Sequence, residues 1–444
     1  MTTCTRRRFI YTASAGSIGT IAVSSTVRSA QTGEKSGIVR NVENTIFIPS
    51  PGPGIAVNAS SYYTTRDTTA LMSIHRHISR SDTVDIAYVR FSEDNGRTWG
   101  DTIPWATKFK HPDGTGRRHP RGGYVDPMTG RYVTVWTEGV LPTDEPLEGM
   151  RQWKLHYSVS EDGGKTQTVN EQIIHEGDGY DEIHHLPGVT AGKNCVMMGD
   201  MGQRPLTRSD GVILIPVQSS PTGPDGEYFN PGAGFTYTDC MVLFGRWRSD
   251  GGLSWRSSER IKGNPNRSTR GMIEPTIAEL DDGTIIMVMR GSNDARPELP
   301  GHKWISRSGD GGRTWSEPKP WTYTDKKVFF SPSACSQLIP HSDGRLLWMG
   351  NICESNPKGN SPRYPIVLGE VDKSNGLLIR ESVSSIDDRR QDESPYLTLS
   401  NFYARENRES HVVMLHLSRY FAKDYRTDGK PDFTADSLLY TITI

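Results

Sequence analysis

The chain has 444 residues, with 51 Lys and Arg against 52 Asp and Glu, a formal net charge of −1. That balance removes the electrostatic case for a nucleic-acid partner. Hydrophobic residues make up 34% and aromatic residues 9%, beside 45 Gly and 28 Pro, a composition that fits many short strands joined by turns and thin sheets with long loops.

Residues 1–30 read as a segment apart from the fold. Thr5-Arg6-Arg7-Arg8-Phe9-Ile10 resembles the twin-arginine export signature: a Ser or Thr, two Arg, any residue, then Phe and an aliphatic. The stretch from Tyr11 to Val27, rich in Ala, Gly, Ser and Thr, is too short and too polar to span a bilayer stably. The expected product is an exported protein, periplasmic or secreted, with no stable membrane insertion. Cys4 belongs to this segment. Cys195, Cys240, Cys335 and Cys353 remain, scattered and without a Cys-x-x-Cys pair. The spacing argues against a zinc site and leaves one or two disulfides open.

From residue 31 onward the chain reads as strands, punctuated by one phrase. Ser92-Glu-Asp94-Asn-Gly96-Arg-Thr98-Trp99 comes first. Ser160-Glu-Asp162-Gly-Gly164-Lys-Thr166-Gln167 loses only the Trp, and Arg248-Ser-Asp250-Gly-Gly252-Leu-Ser254-Trp255 keeps Asp, Gly and Trp. Ser308-Gly-Asp310-Gly-Gly312-Arg-Thr314-Trp315 completes the series. The four Asp lie 68, 88 and 60 residues apart, and recurrence at that interval marks a repeat architecture. A short Asp carboxylate accepts hydrogen bonds from the amides just ahead of it and locks a tight turn. The Gly two positions later takes positive φ, Thr restarts an extended strand, and Trp covers the turn.

Between the phrases, Gly211–Val217, Gly283–Met289 and Gly344–Met349 are short apolar runs, each introduced by a turn Gly. They suit strands covered on both faces. Asp281-Asp282-Gly283 and Ser342-Asp343-Gly344 are hairpin turns of the Asp-Gly type. Val371-Asp-Lys-Ser-Asn-Gly-Leu377 reads as a worn copy of the phrase, and no run of helical periodicity is long enough for a major element. Ser437–Ile444 is expected to pair with a strand near Thr45–Pro49 and close a ring.

The phrase resembles the Asp box, or BNR repeat, of sialidases and related β-propellers. The resemblance implies an all-β fold: a six-bladed β-propeller of four-stranded antiparallel blades, as a single domain over residues 31–444, at about 65 residues per blade. It also implies a glycan substrate and a retaining exo-glycosidase that needs no cofactor and no catalytic metal. The family's nucleophile is a Tyr activated by a Glu, an exception to the usual carboxylate pair. An Asp protonates the leaving oxygen, and an arginine cluster holds the sugar's acidic group, because guanidinium forks match a carboxylate.

Carried over residue by residue, Arg270-Gly-Met-Ile-Glu274-Pro resembles the segment with the base, making Glu274 the base. Arg290 follows sixteen residues on, where the family places one cluster arginine. Asn360-Ser-Pro-Arg363 resembles the segment with the next, and Ala70–Arg76 the strand ending in another. Ser394-Pro-Tyr396-Leu-Thr-Leu399 resembles the nucleophile segment, with Tyr403 as a competitor. Asp82 is the candidate acid/base, with Asp85 as its alternate. His119 is expected to line the channel mouth and read the substrate.

One departure stands out. Sialidases open with Arg-Ile-Pro, whose Arg completes the carboxylate triad. Here Thr45-Ile-Phe-Ile-Pro49 stands in its place under the simplest alignment, and no Arg lies between Arg40 and Arg66. Either Arg66, Arg118 or Arg121 substitutes in space, or the sugar is not sialic acid. Two rival readings remain: a glycan-binding propeller without catalysis, and a propeller glycosidase or lyase that depends on His119, His184 or His185.

Overall fold

The computed structural model describes residues 37–423 and 432–444; the twin-arginine segment lies outside them. Six small antiparallel sheets stand around an axis as the blades of a propeller. Blade I is built from Ala56–Tyr63, Leu71–Ile78, Ile86–Ser92 and Ile103–Trp105. Blade II adds a fifth strand, Lys108–His111, to Gly114–Val125, Tyr132–Leu141, Lys154–Ser160 and Val169–Gln172. In blade III the first strand is broken into Val196–Met197 and Leu206–Thr207. Both halves pair with Ile213–Ser219, which is followed by Asp239–Trp247 and Leu253–Ser257.

Blade IV is Ile273–Glu279, Ile285–Arg290, Lys303–Ser308 and Lys319–Pro320. Blade V is Gln337–Pro340, Leu346–Asn351 and Ile366–Asp372, the last of which pairs with both Leu377–Leu378 and Ser384–Asp387. Blade VI takes Tyr403–Glu406, Val413–Ser418 and Ser437–Thr443 from the C-terminal end and its fourth strand, Asn41–Ile48, from the N-terminal end. The expected closure is present, with Thr45 opposite Leu439 and Ile46 opposite Leu438.

That closure corrects one sequence expectation. Thr45–Pro49 does not stand where the opening arginine would. It belongs to the outermost strand of blade VI, and the innermost strand of blade I is Ala56–Tyr63, which carries Asn58 opposite Arg76. The simplest alignment counted from the first strand of the chain, but ring closure uses that strand as the last one of the final blade.

Each repeated phrase joins the third and fourth strands of its blade. In blade I, Asp94 accepts hydrogen bonds from the Thr98 amide (2.9 Å) and hydroxyl (2.6 Å), and Trp99 Nε1 donates to the Gly96 carbonyl at 3.0 Å. Blade IV repeats the pattern at Asp310, with the Trp315 indole on Gly312. The hydroxyl and amide of Thr98 pull the Asp94 carboxyl down to about 2. The worn copy at Asp372 sits at the equivalent turn of blade V. Blade VI has no such turn, because its third and fourth strands come from opposite ends of the chain.

The apolar core lies between the blades, because each thin sheet has two faces to cover. Leu214 and Val242 of blade III meet Met287 and Met289 of blade IV, and Ile286 and Trp321 of blade IV meet Trp348 and Val367 of blade V. The run Ile285–Arg290 is buried at every position, as expected for a strand with a blade on either side. Cys195, Cys240, Cys335 and Cys353 are buried and unpaired, so the open question of disulfides resolves to none among the described residues.

Candidate active site

Glu274 is where blade IV breaks its own regularity. Ile273 pairs with Arg290 and Thr276 with Val288, so Glu274 and Pro275 form a bulge in the innermost strand. Glu274 adopts a left-handed φ of +46°, a costly conformation for a residue with a side chain. Its amide donates to Gln218 Oε1 of blade III at 2.7 Å, which pins the bulge. The neighbouring strand ends at Arg290, and Arg290 Nη1 donates to both Glu274 oxygens, at 2.9 and 2.8 Å. Burial pushes the Glu274 carboxyl up, but Arg290, helped by Arg363 and Arg270, outweighs it and holds the group below its usual range. The pair is an ionised carboxylate locked on a guanidinium.

Other predicted residues gather around this pair. Arg363 donates through Nε and Nη2 to the Ser333 carbonyl, at 3.1 and 2.7 Å, and senses the charges of Arg290, Glu274 and Asp82. Arg76, 5% exposed, hydrogen-bonds Asn58 and the Met201 sulfur. Asp82 sits at the exposed tip of the blade I loop, with φ +59°, and its charge is felt by Arg121, Arg290 and Arg363. Asp85, its alternate, is occupied locally: Oδ2 accepts from the Ser79 amide and hydroxyl, at 2.9 and 2.6 Å.

Tyr396 lies two residues from Thr398, whose backbone bridges Arg363. The residue is 61% exposed, and its hydroxyl makes no hydrogen bond among the described residues. Tyr403 is buried in the blade I–VI seam, its ring 4.4 Å from that of Tyr62. His119 is buried against Trp153, with ring centroids 5.0 Å apart. Burial, then Arg121, Arg76 and Arg117, holds it well below the usual imidazole range, so it is neutral. His184 is exposed beside Asp181, and His185 bonds the Ile183 carbonyl of its own loop.

Three groups at the site escaped the sequence reading. The first is Asp200, on the segment Met198–Pro205 that interrupts the inner strand of blade III. Asp200 is 3% exposed. Its Oδ1 accepts from the Met201 amide at 2.6 Å, and its Oδ2 is buried without a partner. Burial, then Glu274, pushes its carboxyl up. The second is Lys303, fully buried, with its ammonium on the Ala334 carbonyl. Burial pushes it down to about 7. The third is Cys335, beside Asp200 and Ser400.

An acid flanked by glycines in Met198-Gly-Asp200-Met-Gly202 was the only signal for the first. Nothing local marks the other two. Of the three arginines proposed to replace the opening one, Arg66 pairs with Asp67 in solvent and Arg118 with Glu138. Arg121 alone senses Asp200, Glu274 and Asp82. Among the described residues no group of three or more His, Cys, Asp or Glu is arranged to hold a metal.

The sequence profile of the BNR repeat-like domain matches residues 147–399. No curated protein matches the chain. Among solved structures, the chain is similar to the NanB sialidase of Streptococcus pneumoniae, at 12% identity and a TM-score of 0.55. The similarity covers 90% of this chain and 70% of that one. It is likewise similar to the intramolecular trans-sialidase of Ruminococcus gnavus, at 12% identity and TM-score 0.54, covering 90% and 95%. An α-L-arabinofuranosidase of Fusarium graminearum aligns at 12% identity and TM-score 0.51, covering 92% and 97%. At such identities the likeness is one of fold.

Proposed function

The chain belongs to the family of BNR repeat-like domains, and from that premise we propose that it is a retaining exo-glycosidase that removes a terminal acidic sugar from a glycan. The observation that carries this reading is the buried Glu274–Arg290 pair, held in a strained bulge, with the charges of Arg363 and Asp82 beside it and Arg76 beyond Asp200. Burial by itself raises the basicity of this carboxylate, which gains the strength to take a proton once its pairing with Arg290 is loosened, and a bulge of this cost persists where a site needs it.

In the proposed mechanism Tyr396 attacks the anomeric carbon as Glu274 takes its proton, and Asp82 protonates the departing glycosidic oxygen. Water then attacks the glycosyl–tyrosine with Asp82 as the base, the bond to Tyr396 breaks, and the tyrosine oxygen takes its proton back from Glu274. Arg76, Arg290 and Arg363 supply the cationic wall, and His119, kept neutral by burial and by Arg121 and Arg76, adds no charge to it. The exposure of Tyr396 fits attack on a sugar arriving from solvent.

The same exposure, with a hydroxyl that touches no base, favours a second reading: a propeller that binds glycans without turnover. Fluorophore release from aryl α-sialosides and aryl uronides, by the wild type and by Tyr396→Phe, separates the two. Turnover lost in the variant is the expected result. Turnover that survives it overturns the mechanism, and glycan binding with no turnover of any acidic glycoside by the wild type establishes the second reading. The pattern in residues 5–10 adds the proposal of export by the twin-arginine route, in which case replacing Arg6 and Arg7 by Lys retains the protein in the cytoplasm.

A further inference from the structure

The arginines around Glu274 differ in what their forks already hold. Arg290 is fully engaged: Nε on Ser333 Oγ (2.8 Å), Nη1 on Glu274, and Nη2 on Asn360 Oδ1 (3.2 Å). Arg76 is held by Asn58, Met201 and the Pro120 carbonyl. Arg270 spends Nε and Nη2 on Thr236 Oγ1 and lies against the Phe235 ring. Arg363 uses Nε and Nη2 on Ser333, and its Nη1 makes no hydrogen bond among the described residues.

Arg121 differs from all four. Its guanidinium makes no hydrogen bond among the described residues, and its Nε is buried without a partner. The residue is half-buried and only its Nε is fully withdrawn from water; a buried N–H left unpaired is costly. The backbone has been shaped to put it there. On Gly114–Val125, Pro120 pairs with Trp136 and Gly122 with Val135, which leaves Arg121 as the extra residue of a bulge. Bulges re-aim a side chain in this way. Gly122 makes the bulge feasible: its φ is +122°, and a Cβ there would lie 2.7 Å from the Tyr62 ring. The charges that Arg121 faces are those of the site, with Asp200, Glu274 and Asp82 opposite in sign and Arg76 alike.

We propose that Arg121 is the anion-binding residue of this site, and that Arg121, whose fork is open, and Arg363, which keeps Nη1 free, together clamp the carboxylate of an acidic sugar. The clamp rests on the acidic-sugar reading above. It moves the fork lost from blade I to the bulge of blade II. Arg76 and Arg290 contribute charge and rigidity: every nitrogen of Arg290 is bonded, and both Nη of Arg76 are, its buried Nε alone lacking a partner.

The test is calorimetric binding of N-acetylneuraminic acid and glucuronic acid, each against its methyl ester, to the wild type, Arg121→Met, Arg121→Lys and the control Arg118→Met. The expected result is an acid-over-ester preference in the wild type and in the control. That preference falls by roughly ten- to a hundred-fold in Arg121→Met, the size of a charge-assisted bond, and is partly restored in Arg121→Lys. Thermal melts run alongside, and Arg121→Met is expected to melt no lower than the wild type, because the lost group had no partner. If Arg121→Met fails to fold, Arg121→Lys carries the test, with a several-fold loss expected.

An undiminished preference in the Arg121 variants overturns the clamp, even where Tyr396-dependent hydrolysis is intact. A preference lost with Arg121 in a protein that hydrolyses nothing upholds the clamp and overturns the hydrolase. No preference in the wild type overturns the clamp and the acidic substrate together.

Discussion

Replacing Arg290 by Met tests the central ion pair without any need for a substrate. The side chain gives up two bonds to Glu274, one to Ser333 and one to Asn360, and leaves a carboxylate that is only 11% exposed without its main partner. Removing one member of a buried pair costs about 3–5 kcal/mol, because the other charge stays behind uncompensated. At about 2.1 cal/mol/K per residue over roughly 400 residues, the unfolding entropy is about 0.8 kcal/mol/K, so Tm should fall by roughly 5 °C at pH 7.

The pH dependence carries the sharper signature. In the wild type the Glu274 carboxyl is held below its ordinary value. Its contribution is therefore present above the unfolded value of about 4.3 and lost as pH falls through the folded one. In Arg290→Met, burial acts with less opposition and the folded value rises above the unfolded one. The penalty is then full above that raised value and disappears as pH falls toward about 4.3. The deficit against wild type should narrow between pH 7 and pH 5 in thermal or urea unfolding. Glu274→Gln/Arg290→Met should recover most of it at pH 7. A deficit as large at pH 5 as at pH 7, or a double variant no better than the single one, would refute the reasoning.

Asp310→Ala should destabilise by about 1–3 kcal/mol, since it strips the acceptor from the Thr314 amide and hydroxyl and from the Arg313 amide. The activity of the folded fraction should not change, because Ile285 pairs with Ser308 and Arg290 with Lys303, which puts the turn at the opposite end of the sheet from Arg290; a urea midpoint beside a turnover rate checks both. Lys303, pushed down to about 7 by burial, is penalised when charged, so it costs stability below pH 7 and the cost is relieved as pH climbs toward about 10.4. Unfolding midpoints of the wild type should therefore rise from pH 7 to pH 9, and Lys303→Met should flatten that rise.

The repeats made the fold legible. A turn built from Asp, Gly, Thr and Trp is stabilised by contacts within eight residues, so each copy announces a third-to-fourth strand junction wherever it falls. The apolar runs with their Asp-Gly turns mark second strands for the same local reason, and the ring closure between Ser437–Thr443 and Asn41–Ile48 followed from having two unpaired ends. Glu274, Arg290 and Arg363 could be singled out because each stands in a family-like segment; Glu274 and Arg290 pair directly, and Arg290 and Arg363 both bond Ser333.

The rest was decided by which blades become neighbours. Which strand opens blade I depended on the closure that consumed Asn41–Ile48, and local sequence does not report it. Asp200 reaches Glu274 across blades III and IV, Lys303 reaches the Ala334 carbonyl across blades IV and V, and Arg121 reaches the site only because a bulge beside Tyr62 turns it inward. Turn chemistry is local and was written in the sequence of this chain. The electrostatics of its site sums over charges from several blades, and only the closed ring brings those charges together.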